Sequence, residues 1–376
     1  MHEKNTEALL KLVLCGGGAA CRRRLLDTCG QPVDAITASP RTWHTAGLSP
    51  EQVRAIRHPD PAMLDRSLQW LAMPGHHVLG WHDPDYPPLL RYIPSPPLAL
   101  FIDGDPSRLW HPAVAVVGSR AATAGGREHA HAFSRQLAQA GVAVVSGMAA
   151  GIDTAAHQAV LGIDAGITLA VVGTGLDIVY PRQNAGLHER IAATGAVISE
   201  HAPGTEARPS HFPSRNRILA GLALGLLVVE AGERSGALIT ARQAAESGRE
   251  VFAIPGSIRN PMARGCHRLI RDGAALVESA AEVLAGIAPA AGHLAMSLLG
   301  GSKPPLAGAA PPPETHPPAL PPEHQHLWQA LGHDPTPMDS LVERTGLTVA
   351  ELSSMLLSME LDGRVAVEHG RYTRKP

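Results

Sequence analysis

Aromatic side chains are scarce in this 376-residue chain, at 3%. A surface paved with stacked bases is therefore excluded, and a lone aromatic in a polar loop stands out. Lysine is almost missing: Lys4, Lys11, Lys303 and Lys375 stand against 28 arginines. Codon bias accounts for most of that imbalance, and its chemical consequence is that phosphate contacts fall to the planar, bidentate guanidinium. No Cys-x-x-Cys pair occurs among Cys15, Cys21, Cys29 and Cys266, so free thiols rather than a zinc knuckle are expected, and no metal or other cofactor. No run of about 18 apolar residues exists to cross a membrane. The N-terminal Met1-His2-Glu3-Lys4 lacks the charged-then-apolar pattern of a secretion signal, so a cytoplasmic protein with no membrane partner is expected. The absence of G-x-x-x-x-G-K-[ST] excludes hydrolysis of ATP through a P-loop. Net charge is only −2; any nucleic-acid site must be a local patch, not a property of the whole molecule.

The composition that is present divides the chain into four segments. Residues 1–80 read as a small helical domain of the SAM or helix-hairpin-helix kind. There Ser49 is placed to cap a helix whose first residue is Pro50. Residues 81–288 alternate apolar β-branched runs with helical patterns. The runs are Val114–Val117, Val142–Val145, Thr168–Val172, Ala196–Ser199, Leu226–Glu230 and Val251–Ile254. They are apolar throughout, as strands covered on both faces must be, and predict an α/β fold with a Rossmann-like, doubly wound parallel sheet. Between them Ala130, Phe133, Leu137 and Ala140 share one helix face, and Leu238, Ala241 and Ala245 another. Residues 289–322, rich in Pro, Gly and Ala, read as a linker. Residues 323–376 read as three short helices and a strand pair, a winged-helix domain.

Within the central segment the chemistry-bearing residues gather where strands end. Val117 is followed by Gly118-Ser119-Arg120; a strand ending in Gly-Ser before a helix exposes backbone amides that suit a phosphate, with Arg120 as a charged fork. Ser146 through His157 brings Gly147, Gly151, Asp153 and His157. The last two lie four apart on one helix face, as a general-base dyad or as a capping Asp with a supporting His. Gly173-Thr174-Gly175 is only a partial dinucleotide fingerprint, since the third glycine is missing. Ser199-Glu200 precedes a polar loop and then Phe212-Pro213-Ser214-Arg215-Asn216-Arg217. Arginines beside a rare aromatic and an Asn are the ingredients of single-strand binding, or else a helix start whose arginines pair with Glu200 or Glu230. Glu230 leads to Ser235-Gly236, a second strand–turn–helix unit with backbone amides to offer. The stretch from Gly265 to Ala274 closes the last unit.

In this order the motifs resemble the DNA-processing protein A (DprA/Smf) family: V-G-S-R, S-G-x-A-x-G-I-D-x-x-A-H, G-x-G-x-D-x-x-Y-P, F-P-x-R-N-R, E-A-x-x-x-S-G-x-x-x-T-A and G-x-x-x-L-I-x-x-G-A. The resemblance covers about residues 80–288, and Tyr86-Pro87-Pro88-Leu89-Leu90 and Phe101–Asp105 fit its lead-in segment. It implies a non-catalytic protein that binds and protects single-stranded DNA and helps load RecA recombinase during natural transformation. A homodimer formed through the core is implied, with single-strand-binding protein as a further candidate partner. Carried over by motif, the DNA contacts would be Gly118, Ser119 and Arg120, then Phe212, Arg215, Asn216 and Arg217. Ser235 and Gly236 supply the second amide cradle, and Arg208 joins from the loop before F-P-x-R-N-R. Phosphates are expected on the N-termini of the helices after Gly118 and after Ser235.

Two other readings compete. The core resembles, more distantly, nucleoside-monophosphate phosphoribohydrolases, in which Asp153, His157, Glu200 and Glu230 would surround a nucleotide, but the P-G-G-x-G-T-x-x-E signature is absent. A duplex-DNA reader driven by the winged helix is opposed by its third helix, Thr348–Leu361, which has no Lys or Arg. Residues 323–376 carry five basic against eight acidic side chains. That domain is therefore expected to contact protein or serve an accessory role, with the basic tail of Arg371, Arg374 and Lys375 still able to touch phosphate.

Overall fold

The computed structural model describes residues 2–298, 322–331, 335–362, 364–368 and 371–374. The chain forms two compact units, 1–304 and 305–376. In the first, six helices lead in: α1 (His2–Leu14), α2 (Ala19–Cys29), α3 (Pro32–Thr37), α4 (Pro40–Ala46), α5 (Pro50–Arg57) and α6 (Pro61–Leu71). Ser49 caps α5 as its sequence position predicts. Its hydroxyl accepts from Gln52 N at 3.2 Å, and the Gln52 side chain accepts from Ser49 N at 3.1 Å, a reciprocal capping box. These helices close around Leu12, Leu25, Leu26, Trp43 and Ile56.

Strands then follow: β1 (His76–Gly80), β2 (Ala99–Gly104), β3 (Ala113–Val117), β4 (Ala143–Ser146), β5 (Thr168–Val171), β6 (Ala196–Ser199), β7 (Gly225–Val228), β8 (Glu250–Ala253) and β9 (Ala275–Leu276). They form one sheet in the order β1-β2-β6-β5-β4-β3-β7-β8-β9. From β6 to β9 every neighbouring pair is parallel, while β1 and β2 add an antiparallel edge. The six apolar runs all become strands within two residues of the expected bounds. The antiparallel pair was not among them, and it places the start of the sheet at His76, inside the segment expected to be helical.

Strand alternation divides the apolar residues between two layers. Ala113, Ala115 and Val117 face α11 (His211–Leu222), α12 (Gly236–Glu246) and α13 (Arg264–Arg271). Val114 and Val116 face α8 (Ala124–Gln139), α9 (Ile152–Val160) and α14 (Ala280–Leu298). Each fully buried Val, Leu or Ile contributes about 1.5–3 kcal/mol relative to an exposed one. The layers therefore hold the strand ends rigidly. Between β6 and β7 the chain crosses the sheet, so β3 has its sequence successor β4 on one side and β7 on the other. This is a topological switch point, and loops leaving β3 and β7 on opposite faces open a crevice there.

The linker expected at 289–322 starts later. Helix α14 continues through Pro289 to Leu298, because Ala290, Ala291 and Leu294 go on packing against the layer that Ile287 joins. Tertiary burial outweighs the hydrogen bond that proline forfeits. Residues 299–321 of that stretch lie outside the described residues. The second unit holds α15 (Pro322–Leu331), β10 (Thr336–Pro337), α16 (Met338–Thr345), α17 (Val349–Leu361), β11 (Val365–Glu368) and β12 (Arg371–Arg374), with the strands ordered β10-β12-β11. Its core is Leu327, Leu331, Leu341, Leu352, Leu356, Met359 and Val365, the winged-helix arrangement expected.

Candidate nucleic-acid interface

The crevice at the switch point is a cleft of about 800 Å³. Its walls include Gly118, Ser119 and Arg120 from the β3 loop, Phe212, Arg215 and Asn216 from α11, and Ser235 and Gly236 at the start of α12. Eight of the ten residues expected to touch DNA thus meet in one place. Arg208 and Arg217 are not in the wall. Behind Phe212 a smaller hollow of about 200 Å³ continues between Gly147, Thr174, Tyr180 and Gln183.

The eight are not equivalent. Arg120 is exposed and makes no ion pair among the described residues. Its guanidinium lies 5.5 Å from the centroid of the half-buried Phe212 ring, and the Tyr180 ring centroid lies 5.2 Å from that of Phe212, the two rings tilted by 44°. This is a free cation beside an accessible aromatic. Ser119, by contrast, is buried and braces the loop: its amide donates to Glu230 O at 2.7 Å and its hydroxyl accepts from Ala121 N at 3.1 Å. Gly151, at φ +81°, lets the next loop close on it, since a Cβ there would sit 2.3 Å from Ser119 O.

Arg215 corrects the expectation that it grips phosphate. It is buried beneath the strand ends, where Nη1 donates to Gly147 O at 2.5 Å and to Val171 O, and Nε donates to Asn216 Oδ1 at 3.0 Å. Burial pushes its pKa down to about 10, opposed by Asp153, so it remains a cation at neutral pH. Gly147 is required beside it, because a Cβ would fall 2.3 Å from the guanidinium. Arg217 is corrected likewise: it pairs with Glu200 at 2.6 Å, both side chains about one-fifth exposed. Arg208 is exposed in the loop ahead of α11. The periodicity of F-P-x-R-N-R explains the split, since residues two apart on a helix leave in different directions.

The acidic and histidine residues are each engaged separately. Asp153 accepts from Gly147 N at 3.2 Å and Ala149 N at 3.3 Å; burial raises its pKa against the pull of Arg215. His157 turns away from it and meets Thr168 Oγ1 at 2.7 Å, so the two do not pair. Glu230 accepts from Thr123 N at 2.9 Å and Thr123 Oγ1 at 2.6 Å, which sets the protein's own carboxylate at the N-terminus of α8. The phosphate expected there is displaced by that internal anion, since one negative charge already satisfies the helix end. Helix α12 differs. Ser235 Oγ accepts from Ala237 N at 3.3 Å, no carboxylate among the described residues caps the end, and a Cβ on Gly236 would meet nothing within 4 Å. Its amide end is open to the cleft.

Residues that sequence reasoning passed over also line the cleft: Arg234, Met262 and Arg264. Arg264, His267, Arg268 and Arg271 recur at helical spacing on α13, a signal carried by the sequence in the stretch that closes the last strand–helix unit. In the second unit Arg374 stacks on Trp328 with its guanidinium carbon 4.6 Å from the ring centroid and donates to Trp328 O. It is thereby withdrawn from the basic cluster expected there, and Lys375 lies outside the described residues.

Comparison with known proteins places the chain among proteins of one family and fold. Residues 77–288 match the family model described as DNA recombination-mediator protein A, and residues 310–371 match the DprA winged helix domain. Protein Smf of Escherichia coli K12 is 39% identical over 316 residues, covering 83% of this chain and 80% of that protein. DNA processing protein DprA of Streptococcus pneumoniae R6 is 46% identical over 226 residues, 60% of this chain and 78% of that one. An X-ray structure of the Streptococcus pneumoniae protein superposes with a TM-score of 0.66 at 40% identity, covering 73% of this chain and 95% of that one. A DNA processing protein A from Helicobacter pylori, described by its unique single-stranded DNA binding mode, shares the fold at a TM-score of 0.50 and 24% identity, over 60% and 97% of the two chains.

Proposed function

Because this chain belongs to the DNA recombination-mediator protein A (DprA/Smf) family, we propose that its switch-point cleft holds a segment of single-stranded DNA and that the protein shields that strand and passes it to RecA recombinase. Phosphate oxygens meet the open amide end of α12 and the guanidinium of Arg120; an unpaired base lies against Phe212. The observation that carries this reading is the convergence of an exposed guanidinium, an accessible ring 5.5 Å away and a helix N-terminus that no carboxylate among the described residues fills, in one cleft. Backbone amides and Arg recognise phosphate, while a ring face accepts any base, so little sequence preference is expected. A duplex cannot offer a base to Phe212 without unpairing it. The protein acts in the cytoplasm as a homodimer, and the acidic winged-helix domain serves protein contacts, not groove reading.

Competition between single-stranded and duplex oligonucleotides of one sequence at moderate salt tests this. A preference for the single strand is expected, and retained preference for the duplex contradicts it.

A further inference from the structure

The cleft is not closed at the end formed by α12 and α13. Arg234 and Arg264 line it and also line an adjoining hollow of about 350 Å³, whose remaining walls are Glu233, His267, Arg268 and Arg271. Helix α13 presents Arg264, His267, Arg268 and Arg271 at positions i, i+3, i+4 and i+7 of one face, while Gly265 and Cys266 are buried on the other. Four exposed guanidinium groups therefore border the hollow, from Arg234, Arg264, Arg268 and Arg271. Two acidic groups lie among them. Glu233 is 3.8 Å from Arg264 and Asp272 is 3.6 Å from Arg268, each pair more than half exposed. Such pairs contribute little and exchange readily for another anion. Arg234 and Arg271 make no ion pair among the described residues. In a chain of net charge −2, this concentration of one sign next to a phosphate-binding cleft calls for a polyanion that runs on from it.

We propose that the strand held in the cleft continues past Arg234 and Arg264 onto the exposed face of α13, where Arg268 and Arg271 contact further phosphates. The inference rests on the cleft being a single-strand site and extends it into a track. Eight residues of helix span about 12 Å, which accommodates roughly two more phosphates. The contacts are chiefly to the backbone, since no Phe, Tyr or Trp borders the hollow, so this part of the track has little sequence preference.

The test compares a short oligodeoxythymidine of roughly four nucleotides with one of roughly sixteen, each titrated against the full-length protein over a range of salt. The variants are Arg268→Ala/Arg271→Ala, Arg268→Lys/Arg271→Lys and Arg120→Ala. The double alanine variant is expected to bind the short oligonucleotide like wild type and the long one about tenfold more weakly, with the salt slope reduced by roughly 1.4. The double lysine variant restores long-oligonucleotide binding to within about threefold, because a cation suffices for a backbone contact. Unchanged affinity and slope for the long oligonucleotide, as when the basic face receives an acidic protein instead, overturn the track while leaving the cleft intact. Equal loss in the alanine and lysine variants also overturns it. Failure of Arg120→Ala to weaken either oligonucleotide removes the cleft itself, a separate result.

Discussion

Arg215 and Arg120 show how one side-chain type serves two purposes within a single crevice. Arg215 is buried, satisfies the carbonyls of Gly147 and Val171, and balances Asp153. Arg215→Ala strands a buried carboxylate and two carbonyl groups, so it should destabilise folding by about 3–5 kcal/mol, read by denaturant unfolding. Motif reading placed Arg215 and Arg217 on DNA because the sequence shows a basic run beside an aromatic. Burial and partner choice are not written in that run. His157 gives a second check. Burial lowers its pKa to about 3, with Arg215 adding to the effect. It is neutral when folded and takes up a proton when unfolded, so its stabilising contribution is complete above pH 6.5 and is lost as pH falls toward 3. At pH 4.5 the loss is up to about 2–3 kcal/mol. Asp153, raised by burial, works in the opposite sense, which is why the measurement is a difference. Thermal unfolding of wild type between pH 7 and 4.5 should fall more steeply than that of His157→Gln. Equal slopes would show that His157 is not buried neutral.

At the level of elements, two helix N-termini that read alike in sequence prove different. Both follow a strand and a Gly/Ser turn. Helix α8 has its end filled by Glu230, more than 100 residues away in the chain, and no local pattern announces that pairing. Helix α12 keeps its end open. Gly236→Asp should separate the two demands on that end. A carboxylate there meets open space and the positive pole of the helix, so stability should be unchanged or up to about 1 kcal/mol higher. Binding of single-stranded DNA should fall about tenfold, since like charges now face each other. Thermal melting and fluorescence anisotropy on one sample read both signs. A fall in stability together with unchanged binding would contradict the assignment. The parallel strands were legible because each is apolar on both faces. The antiparallel edge was not, because β1 (His76–Gly80) begins with two histidines and has intermediate or exposed burial over most of its length. Its pairing with β2 is what makes it a strand.

On the scale of the whole molecule, a chain of net charge −2 can serve a polyanion only if its basic groups are gathered, and the switch point is where the fold gathers them. The family and the α/β core were legible because most of the motifs lie at the C-terminal ends of parallel strands, where topology forces them together. The extent of α14 was not, since composition alone made residues 289–298 look like linker while packing made them helix. The winged-helix unit carries more acidic than basic groups, and Arg344 is tied to Ala330 O at 2.9 Å. Removing residues 305–376 is expected to leave affinity for single-stranded DNA within about threefold, measured by anisotropy at constant salt; its collapse would assign that unit to DNA. The most direct measurement sets Arg120→Ala against Arg217→Ala in salt-dependent binding of single-stranded DNA. The cleft account predicts that Arg120→Ala weakens binding about tenfold and lowers the salt slope by roughly 0.7, while Arg217→Ala, outside the cleft and paired with Glu200, leaves both unchanged. Wild-type behaviour of Arg120→Ala would contradict it.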